Sequence, residues 1–324
     1  MTTFKELRGT AIQAVSSDPS NPETGQIWYN SSSGTLKGYV LANVNAWSSG
    51  GTYPNSVEGN ASVGTQTAAL GFGGGDPAVF LTTTVKYDGT AWTPTGSMNT
   101  ARAYLGGAGT QTAALAFGGY VQPLNTAASE SFNGTSWTNT PNMNSARRAL
   151  GSAGIQTAAL AFGGYGTNFS TATETWNGTS WTTSPATLPT GIAGNGNAGT
   201  QTAALSFGGD VGPTTTTATN SFNGTSWTSV NSMNTTRGYL GGFGTQTSAI
   251  AAGGGPPTGG VTELWNGTSW TSNPTGMATN RQYLGANGSS TAGLAVAGNN
   301  GSTKINTVEE WTGQQLQTRT ITVS

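Results

Sequence analysis

Gly109-Thr-Gln-Thr-Ala-Ala-Leu-Ala-Phe-Gly-Gly119 is the stretch that decides the fold, because the chain repeats it at a nearly constant interval. Its copies begin at Gly64, Gly109, Gly154, Gly199, Gly244 and, in a diverged form, Gly288, at intervals of 45, 45, 45, 45 and 44 residues. A period of this size indicates a repeat architecture in which each unit buries its apolar face only against a neighbour.

A second phrase, an aromatic residue followed by Asn-Gly-Thr-Ser-Trp or Asp-Gly-Thr-Ala-Trp, recurs with the same period. It ends at Trp92, Trp137, Trp181, Trp227 and Trp270, while Trp47 precedes the series and Trp311 follows it out of step. Asn-Gly and Asp-Gly favour type I′ turns, whose two central residues both need positive φ. Each phrase therefore predicts a tight β-hairpin.

One period then contains four strands: a strand before the Gly-Thr turn, the Ala-Ala-Leu-Ala-Phe strand, and the two strands of the hairpin. Four strands in about 45 residues are typical of a propeller blade. We expect the Ala-rich second strand to lie innermost, because only small residues leave room where blades converge. A Trp from each blade should fill the outer part of the gap between blades. The prediction is an all-β, six-bladed propeller.

Charged residues are locked to the same period. Arg102, Arg147, Arg237 and Arg281 follow a Met by four residues, Glu130, Glu174, Glu263 and Glu309 precede the hairpin aromatic by two, and Val57 and Ile192 occupy the missing Arg positions. This periodicity favours structural Arg–Glu pairs, or Arg bonds to carbonyl groups, over catalysis.

Residues 1 to about 35 lie outside the repeat and divide the chain into an N-terminal arm (1–35) and a propeller (36–324). Residues 26–30 and 35–40, separated by Ser-Ser-Ser-Gly, predict two strands of a hairpin. The arm is either a docking segment or an edge ribbon that shields the neighbouring sheet. Either residues 39–47 or residues 316–324 must complete or flank the last blade.

The low charge and the absence of Cys and His argue against several classes of function. Only 7% of residues are charged, the net charge is -1, and the chain has no Cys and no His. We therefore expect no cofactor, no metal and no enzymatic activity, and neither nucleic-acid binding nor membrane insertion. The first residues lack the apolar core of a secretory signal. Glycoside chemistry needs two closely placed carboxylates, and the acids outside the periodic set show no evident pair: Asp76, Asp88, Asp210 and Glu310.

The unit of hydrophobic strand, Gly-Gly, aromatic residue, Trp and Met-x-x-x-Arg resembles the kelch repeat of galactose-oxidase-like β-propellers over about residues 50–324. It differs in a shorter spacing between aromatic residue and Trp and in fewer charges. The copper oxidases of this family use Cys, Tyr and His around the metal, so the resemblance implies the fold without the oxidase site. The segment from Gly25 to Tyr39, followed by Gly/Thr/Asn-rich repeats, resembles virion proteins of marine tailed bacteriophages.

The second resemblance implies a tail fibre, a tail appendage or a capsid decoration. We therefore expect a non-enzymatic virion structural protein, assembled in the host cytoplasm and exposed on the particle in multiple copies. Its arm would contact other virion proteins, and its propeller would attach to a host-surface glycan. The alternative is a lectin-like glycan-binding module that is not tied to a particle.

The most variable parts of the repeat are the loops after each Gly-Gly, which should share one face. Variable loops on a rigid scaffold are typical binding sites, and their aromatic side chains could stack on sugar rings. The other interpretation is that these loops are unconstrained turns. The candidate binding residues are Asp76, Phe80, Tyr120, Gln122, Asn125, Tyr165, Asn168, Phe169 and Asp210.

Overall fold

The computed structural model describes residues 12–42, 44–75, 79–255 and 260–321, and every regular element in that part is a β-strand. The all-β prediction is confirmed. Contacts divide the chain into two compact units, residues 1–45 with 313–324 and residues 46–312. The strands are β1 (Gln13–Val15), β2 (Ile27–Asn30), β3 (Thr35–Ala42), β4 (Ala46–Ser49), β5 (Ala61–Thr65), β6 (Ala68–Phe72), β7 (Thr84–Tyr87), β8 (Trp92–Pro94), β9 (Gly106–Gly109), β10 (Ala114–Phe117), β11 (Tyr120–Val121), β12 (Leu124–Asn125), β13 (Ser129–Phe132), β14 (Trp137–Thr140), β15 (Gly151–Ile155), β16 (Ala158–Phe162), β17 (Thr173–Trp176), β18 (Trp181–Ser184), β19 (Gly196–Gly199), β20 (Ala204–Phe207), β21 (Thr219–Phe222), β22 (Trp227–Val230), β23 (Gly241–Thr245), β24 (Ser248–Ala252), β25 (Thr262–Trp265), β26 (Trp270–Ser272), β27 (Gly285–Ser289), β28 (Ala292–Asn299), β29 (Lys304–Thr312) and β30 (Gln315–Thr320).

The first unit contains one four-stranded sheet in the order β1-β2-β3-β30. The predicted hairpin is confirmed as the antiparallel pair β2 and β3, whereas β1 runs parallel to β2. Trp28 is fully buried, and its Nε1–H donates to Asp18 Oδ1 at 3.0 Å. Residue 35, where the sequence places the end of the arm, is the first residue of β3, and this unit extends to residue 45.

The second unit contains six four-stranded antiparallel sheets of the type found in propellers, one for each period. Within each sheet the strands lie in chain order, apart from the closing strand of the last one. We number the sheets along the chain: sheet 1 (β5–β8), sheet 2 (β9, β10, β13 and β14), sheet 3 (β15–β18), sheet 4 (β19–β22), sheet 5 (β23–β26) and sheet 6 (β27–β29 with β4).

Sheet 6 takes its fourth strand from the N-terminal side of the repeats. β4 pairs with β29, so that Trp47 lies opposite Trp311. Of the two segments expected to complete or flank the last blade, residues 39–47 overlap β4 only at residues 46 and 47, and their residues 39–42 lie in β3 of the first unit, to which β30 also belongs. Trp311 occupies the position of the hairpin aromatic rather than that of the Trp, which explains why it is out of step.

The prediction that the Ala-rich strand lies innermost is wrong. The first strand of each sheet lies against the first strand of the next sheet, and β27 lies against β5. These first strands line a cavity of about 240 Å³. They are rich in glycine because their backbones converge: a Cβ added to Gly242 in sheet 5 would collide with the backbone of Asn197 in sheet 4. The Ala-rich strand is second, where its small side chains pack between sheets.

Adjacent sheets are joined by repeated polar contacts around apolar packing. The Nε2 group of Gln156 donates to Ala114 O at 3.2 Å and to Phe132 O at 2.6 Å, both in the preceding sheet. Gln66, Gln111, Gln201 and Gln246 make the same pair of bonds at four other junctions. This glutamine clamp joins five pairs of neighbouring sheets; at the sixth junction Ser290 of sheet 6 takes the place of the glutamine and accepts from Ser248 Oγ of sheet 5 at 2.8 Å.

The predicted packing of Trp side chains between sheets is also observed. Trp181 in sheet 3 lies with its ring 4.9 Å from that of Phe117 in sheet 2, and its Nε1–H donates to Ser129 Oγ at 3.1 Å. Trp137, Trp227 and Trp270 contact a Phe and a Thr of the preceding sheet in the same way. Each indole therefore contributes apolar contact and one satisfied hydrogen bond.

All four predicted Arg–Glu pairs are confirmed. Their N–O distances are 3.2 Å for Arg102 and Glu130, 3.1 Å for both Arg147–Glu174 and Arg237–Glu263, and 2.5 Å for Arg281–Glu309. The side chains of Arg147 and Glu174 are 1% and 0% exposed. The Arg side chains also donate to backbone carbonyls, as Arg147 does to Ala172 O at 2.9 Å. The periodic charges are thus structural.

Sheets 1 and 4 lack the ion pair, and they also lack the backbone N–H that lies nearest to the glutamate in the other sheets. In sheet 3 the Glu174 carboxylate also accepts the backbone N–H of Asn144 at 2.7 Å. The equivalent residue is Pro54 in sheet 1 and Pro189 in sheet 4, neither of which has an N–H to satisfy. The Arg and Glu positions hold Val57 and Val85 in sheet 1, and Ile192 and Asn220 in sheet 4.

The hairpins formed by the second phrase are confirmed, but their predicted type I′ turn is wrong. Residues 133–136 form a four-residue loop between Phe132 and Trp137, and of its first two residues only Gly134 has positive φ, at 98°. The Asn133 side chain accepts the N–H groups of Thr135 and Ser136 at 3.0 and 2.9 Å. The Asn133 side chain thus satisfies the backbone N–H groups of the loop, and Asn133 does not adopt the left-handed conformation that a type I′ turn requires.

Candidate functional site

One end of the six sheets is fixed by a closed cycle of backbone hydrogen bonds. It is formed by Gly59, Tyr104, Ala149, Gly194, Tyr239 and Tyr283. The N–H of each residue donates to the carbonyl of the preceding member, and that of Gly59 donates to Tyr283 O, with N–O distances of 2.6–2.9 Å. All six residues have φ between 51° and 65°. We call this cycle the axial ring.

Next to the axial ring, the same backbone contact recurs in all six sheets, while the side chains at its two positions differ from sheet to sheet. The residue before each ring member forms a β-bridge with the residue after the Gly-Gly step of the same sheet. These bridges join Glu58 to Gly75, Ala103 to Tyr120, Arg148 to Tyr165, Ala193 to Asp210, Gly238 to Gly255 and Gln282 to Asn299. A constant backbone that displays different side chains is the usual arrangement of a binding surface on a rigid scaffold.

Four of the predicted binding residues lie in one row across sheets 1 to 3, together with an arginine. The rings of Phe80 and Tyr120 are 5.7 Å apart, and those of Tyr165 and Phe169 are 5.2 Å apart. Between these pairs, the Arg148 guanidinium lies 4.6 Å from the Tyr120 ring and 5.1 Å from the Tyr165 ring. We call these five side chains, all partly exposed, the aromatic row.

Asn125 connects two loops of the row. Its Nδ2 donates to Tyr165 O and Gly166 O, both at 3.0 Å, while its Oδ1 accepts from Arg148 Nη1 at 3.2 Å. The predicted binding residue Asn125 lies on β12, where its side chain positions Arg148 and Tyr165. These bonds hold the row in place without any ligand.

The remaining predicted site residues are not part of the row. Gln122 and Asn168 are exposed at the tips of neighbouring loops. Asp76 lies outside the described residues. Asp210 lies in sheet 4, where it accepts a hydrogen bond from the hydroxyl of Tyr239, and burial raises the pKa of its carboxyl group.

Three tyrosines of the axial ring and two carboxylates form a separate cluster at the axis. Tyr104 OH donates to Glu58 Oε1 at 3.0 Å. The Tyr283 ring lies 5.7 Å from that of Tyr104 and 4.2 Å from that of Tyr239. Burial, with the nearby carboxylates, raises the pKa of all three hydroxyls. The carboxylates Glu58 and Asp210 are thus each engaged by a tyrosine.

The sequence did not reveal Arg148 or the axial tyrosines as site residues. Arg148 directly follows the periodic Arg147, and this extra arginine beside the periodic one is the sequence feature that could have identified it. Its neighbours Tyr120 and Tyr165 lie 28 residues before it and 17 after it in sequence. Only the bridge register brings the three together.

The acidic residues outside the periodic set lie apart from the aromatic row, as far as the structure describes them. Asp88 caps its own hairpin by accepting the N–H groups of Thr90 and Ala91, both at 2.8 Å. Glu310 Oε1 accepts from Tyr87 OH at 2.6 Å. Among the described residues no group of three or more His, Cys, Asp or Glu side chains could hold a metal ion. The same residues contain no helix of the length and apolar character needed to cross a membrane.

No protein-family model matches the chain, and no curated protein matches it in sequence.

Proposed function

We propose that the protein is a non-enzymatic structural protein of a tailed-bacteriophage virion, in a tail fibre, tail appendage or capsid decoration. It displays a closed six-bladed, kelch-like propeller for attachment to a host-surface glycan. The observation that carries the attachment role is the aromatic row, in which four partly exposed aromatic rings are held by Arg148 and Asn125 on a rigid backbone. Preformed sites of this kind avoid much of the ordering cost of binding.

Closure of the propeller is supported by contacts between sheet 6 and sheet 1. The axial ring passes from Tyr283 to Gly59, and Gln66 of sheet 1 donates to Gly293 O and Trp311 O of sheet 6 at 3.2 and 2.9 Å. Gln111, Gln156, Gln201 and Gln246 make the same pair of bonds at four other junctions. A β-propeller whose last sheet borrows an N-terminal strand is closed by that strand, here β4.

The non-enzymatic role is supported by what the acidic residues do. Glu130, Glu174, Glu263 and Glu309 neutralise buried arginines, while Glu58, Asp88, Asp210 and Glu310 accept bonds from hydroxyls or backbone amides. Both sets have structural partners. None of these described carboxylates belongs to the aromatic row.

The docking role falls to the first unit in this proposal. Its sheet combines strands from the two end regions of the chain, since β3 pairs with β30. Trp28, Asn30 and Lys37 all donate to Asp18, which fixes the turn-rich segment before β2. Such a unit would anchor several copies to other virion proteins and leave the propeller exposed.

A particle assay tests both roles. Phage that encode a chain without residues 1–45 should assemble particles that lack the protein, whereas phage with Tyr120→Ala and Tyr165→Ala should incorporate it and adsorb poorly to host cells. A matched control, Ile155→Ala, changes an exposed side chain of sheet 3 outside the row. Normal incorporation of the truncated chain would refute docking through the first unit, and normal adsorption of the double variant would refute attachment through the row.

The alternative is a lectin-like module that is not tied to a particle, which the aromatic row favours equally. Glycan-array binding by the purified protein, combined with its absence from purified virions, would select this alternative. Co-purification with virions would select the first.

A further inference from the structure

Arg148 differs from the periodic arginines in having no carboxylate beside it among the described residues. Arg102, Arg147, Arg237 and Arg281 are buried and paired with glutamates. Arg148 is partly exposed, and no ion pair found in the described ranges includes it. In the part of the chain that the structure describes, the partners of its guanidinium are the uncharged Asn125 side chain and the rings of two tyrosines, which are electron-rich but carry no charge.

The position of the guanidinium leaves donors for a ligand. A guanidinium has five N–H donors in a planar fork, and Asn125 accepts one of them. Tyr120 and Tyr165 cover its faces at 4.6 and 5.1 Å. The surface charge at this position is thus fixed in place by its neighbours, and a planar fork of this kind matches a carboxylate or a sulfate in two-point hydrogen bonding.

Neither of the two described carboxylates at the same end of the sheets forms an ion pair with Arg148. Glu58 accepts from Tyr104 and from Asn299 Nδ2, the latter at 2.8 Å. Asp210 is bonded to Tyr239 on the other side of the axial ring from Tyr104. Both are bonded to axial tyrosines, and Arg148 is the charged member of the aromatic row, with rings on either side of it.

We propose that the aromatic row binds an acidic saccharide, with the carboxylate or sulfate group of the sugar on the Arg148 guanidinium and the sugar rings against Tyr120, Tyr165 and the phenylalanines beside them. This inference rests on the proposed attachment function and specifies its ligand class. A neutral glycan would use the rings alone, and a free inorganic anion would use Arg148 alone. Only an acidic sugar uses both halves of the row.

Paired polymers that differ only in charge provide the test. The full chain is titrated with dextran sulfate and dextran, and with polygalacturonate and its methyl ester, in a biosensor assay at fixed salt. We expect at least one anionic polymer to bind about tenfold or more tightly than its neutral partner, the size of effect that a charged hydrogen bond supplies. The two pairs distinguish a sulfate from a carboxylate ligand.

Variants locate the effect. Arg148→Gln keeps a polar group near Asn125 and should lose the preference for the charged polymer. Arg148→Lys keeps the charge without the fork and should retain only part of it. The control Lys86→Gln removes a cation in sheet 1 that donates to Gly134 O, outside the row, and should bind like the wild type. Unfolding midpoints equal to that of the wild type show that each variant is folded.

Equal binding of charged and neutral polymers would overturn the inference, as would an unchanged preference in Arg148→Gln or the loss of preference in Lys86→Gln. If neutral polymers bind and Tyr120→Ala abolishes that binding, the attachment function stands while the acidic ligand is refuted. If no polymer binds and Tyr120→Ala leaves adsorption to cells normal, both are refuted.

Discussion

The buried ion pair of sheet 3 allows a test of what the periodic charges contribute to stability. Arg147→Ile removes the guanidinium and leaves the fully buried Glu174 carboxylate with the N–H of Asn144. Removing one partner of a buried pair costs about 3–5 kcal/mol, because the remaining charge is no longer compensated. We expect the free energy of unfolding to fall by that amount.

Sheet 4 supplies the matched control, since it holds a complete uncharged version of the same site. Transferring that version to sheet 3 removes both charges and the N–H that the glutamate accepts. Burial lowers the pKa of Arg147 despite its partner Glu174, so desolvation outweighs the attraction. The free energy of unfolding of the uncharged version should therefore differ from that of the wild type by no more than about 1.5 kcal/mol. The four substitutions are Met143→Leu, Asn144→Pro, Arg147→Ile and Glu174→Asn.

Urea unfolding followed by Trp fluorescence and by circular dichroism measures both variants, and the midpoints are compared at a shared slope. We expect the wild type and the variant with four substitutions to have similar free energies of unfolding, and Arg147→Ile to have a much lower one. A four-fold variant as unstable as Arg147→Ile, or a single variant that loses less than about 1 kcal/mol, would refute the reasoning.

Three further predictions concern other repeated contacts and the first unit. Gln156→Ala removes two bonds to the preceding sheet and should lower the unfolding free energy by about 1–3 kcal/mol, whereas the exposed Gln122→Ala should not change it in the same urea assay. Trp181→Phe leaves the Ser129 hydroxyl without its donor and should cost about 1 kcal/mol; no change in the midpoint would contradict the bond. Hydrogen bonds from Lys37, Asn30 and Trp28 lower the pKa of Asp18 to about 2 from 3.8, so its contribution to stability is present above the higher value and is lost as pH falls through the lower one. The Trp28 emission spectrum should report this loss between about pH 4 and 2, and Asp18→Asn should abolish that transition.

The sequence predicted what depends on local pattern and period. The four strands of each unit, the β2–β3 hairpin and the Arg–Glu pairs all follow from periodic residue types, and all are observed. The innermost strand was predicted wrongly because Ala and Gly are both small. Only the convergence of backbones distinguishes the strand that must lack Cβ atoms, as at Gly242, from the strand that packs with Ala.

The candidate site was predicted in part for a related reason. Phe80, Tyr120, Tyr165 and Phe169 could be selected because they are aromatic residues in variable loops. Arg148 could not, since its role depends on a β-bridge between segments that are distant in sequence. The turn type failed because the Asn133 side chain competes for the backbone N–H groups that define it.

The axial ring has a consequence for how this gene can change. Glutamine clamps and Trp contacts are nearly interchangeable from one junction to the next, so recombination between similar repeats could delete or add a 45-residue unit and keep every pairwise junction compatible. The cycle of hydrogen bonds, however, closes with one residue from each of six sheets at N–O distances below 3 Å. A gene product with five or seven units would need a cycle of a different size, so the axial ring links the number of units to the backbone geometry at this end of the sheets.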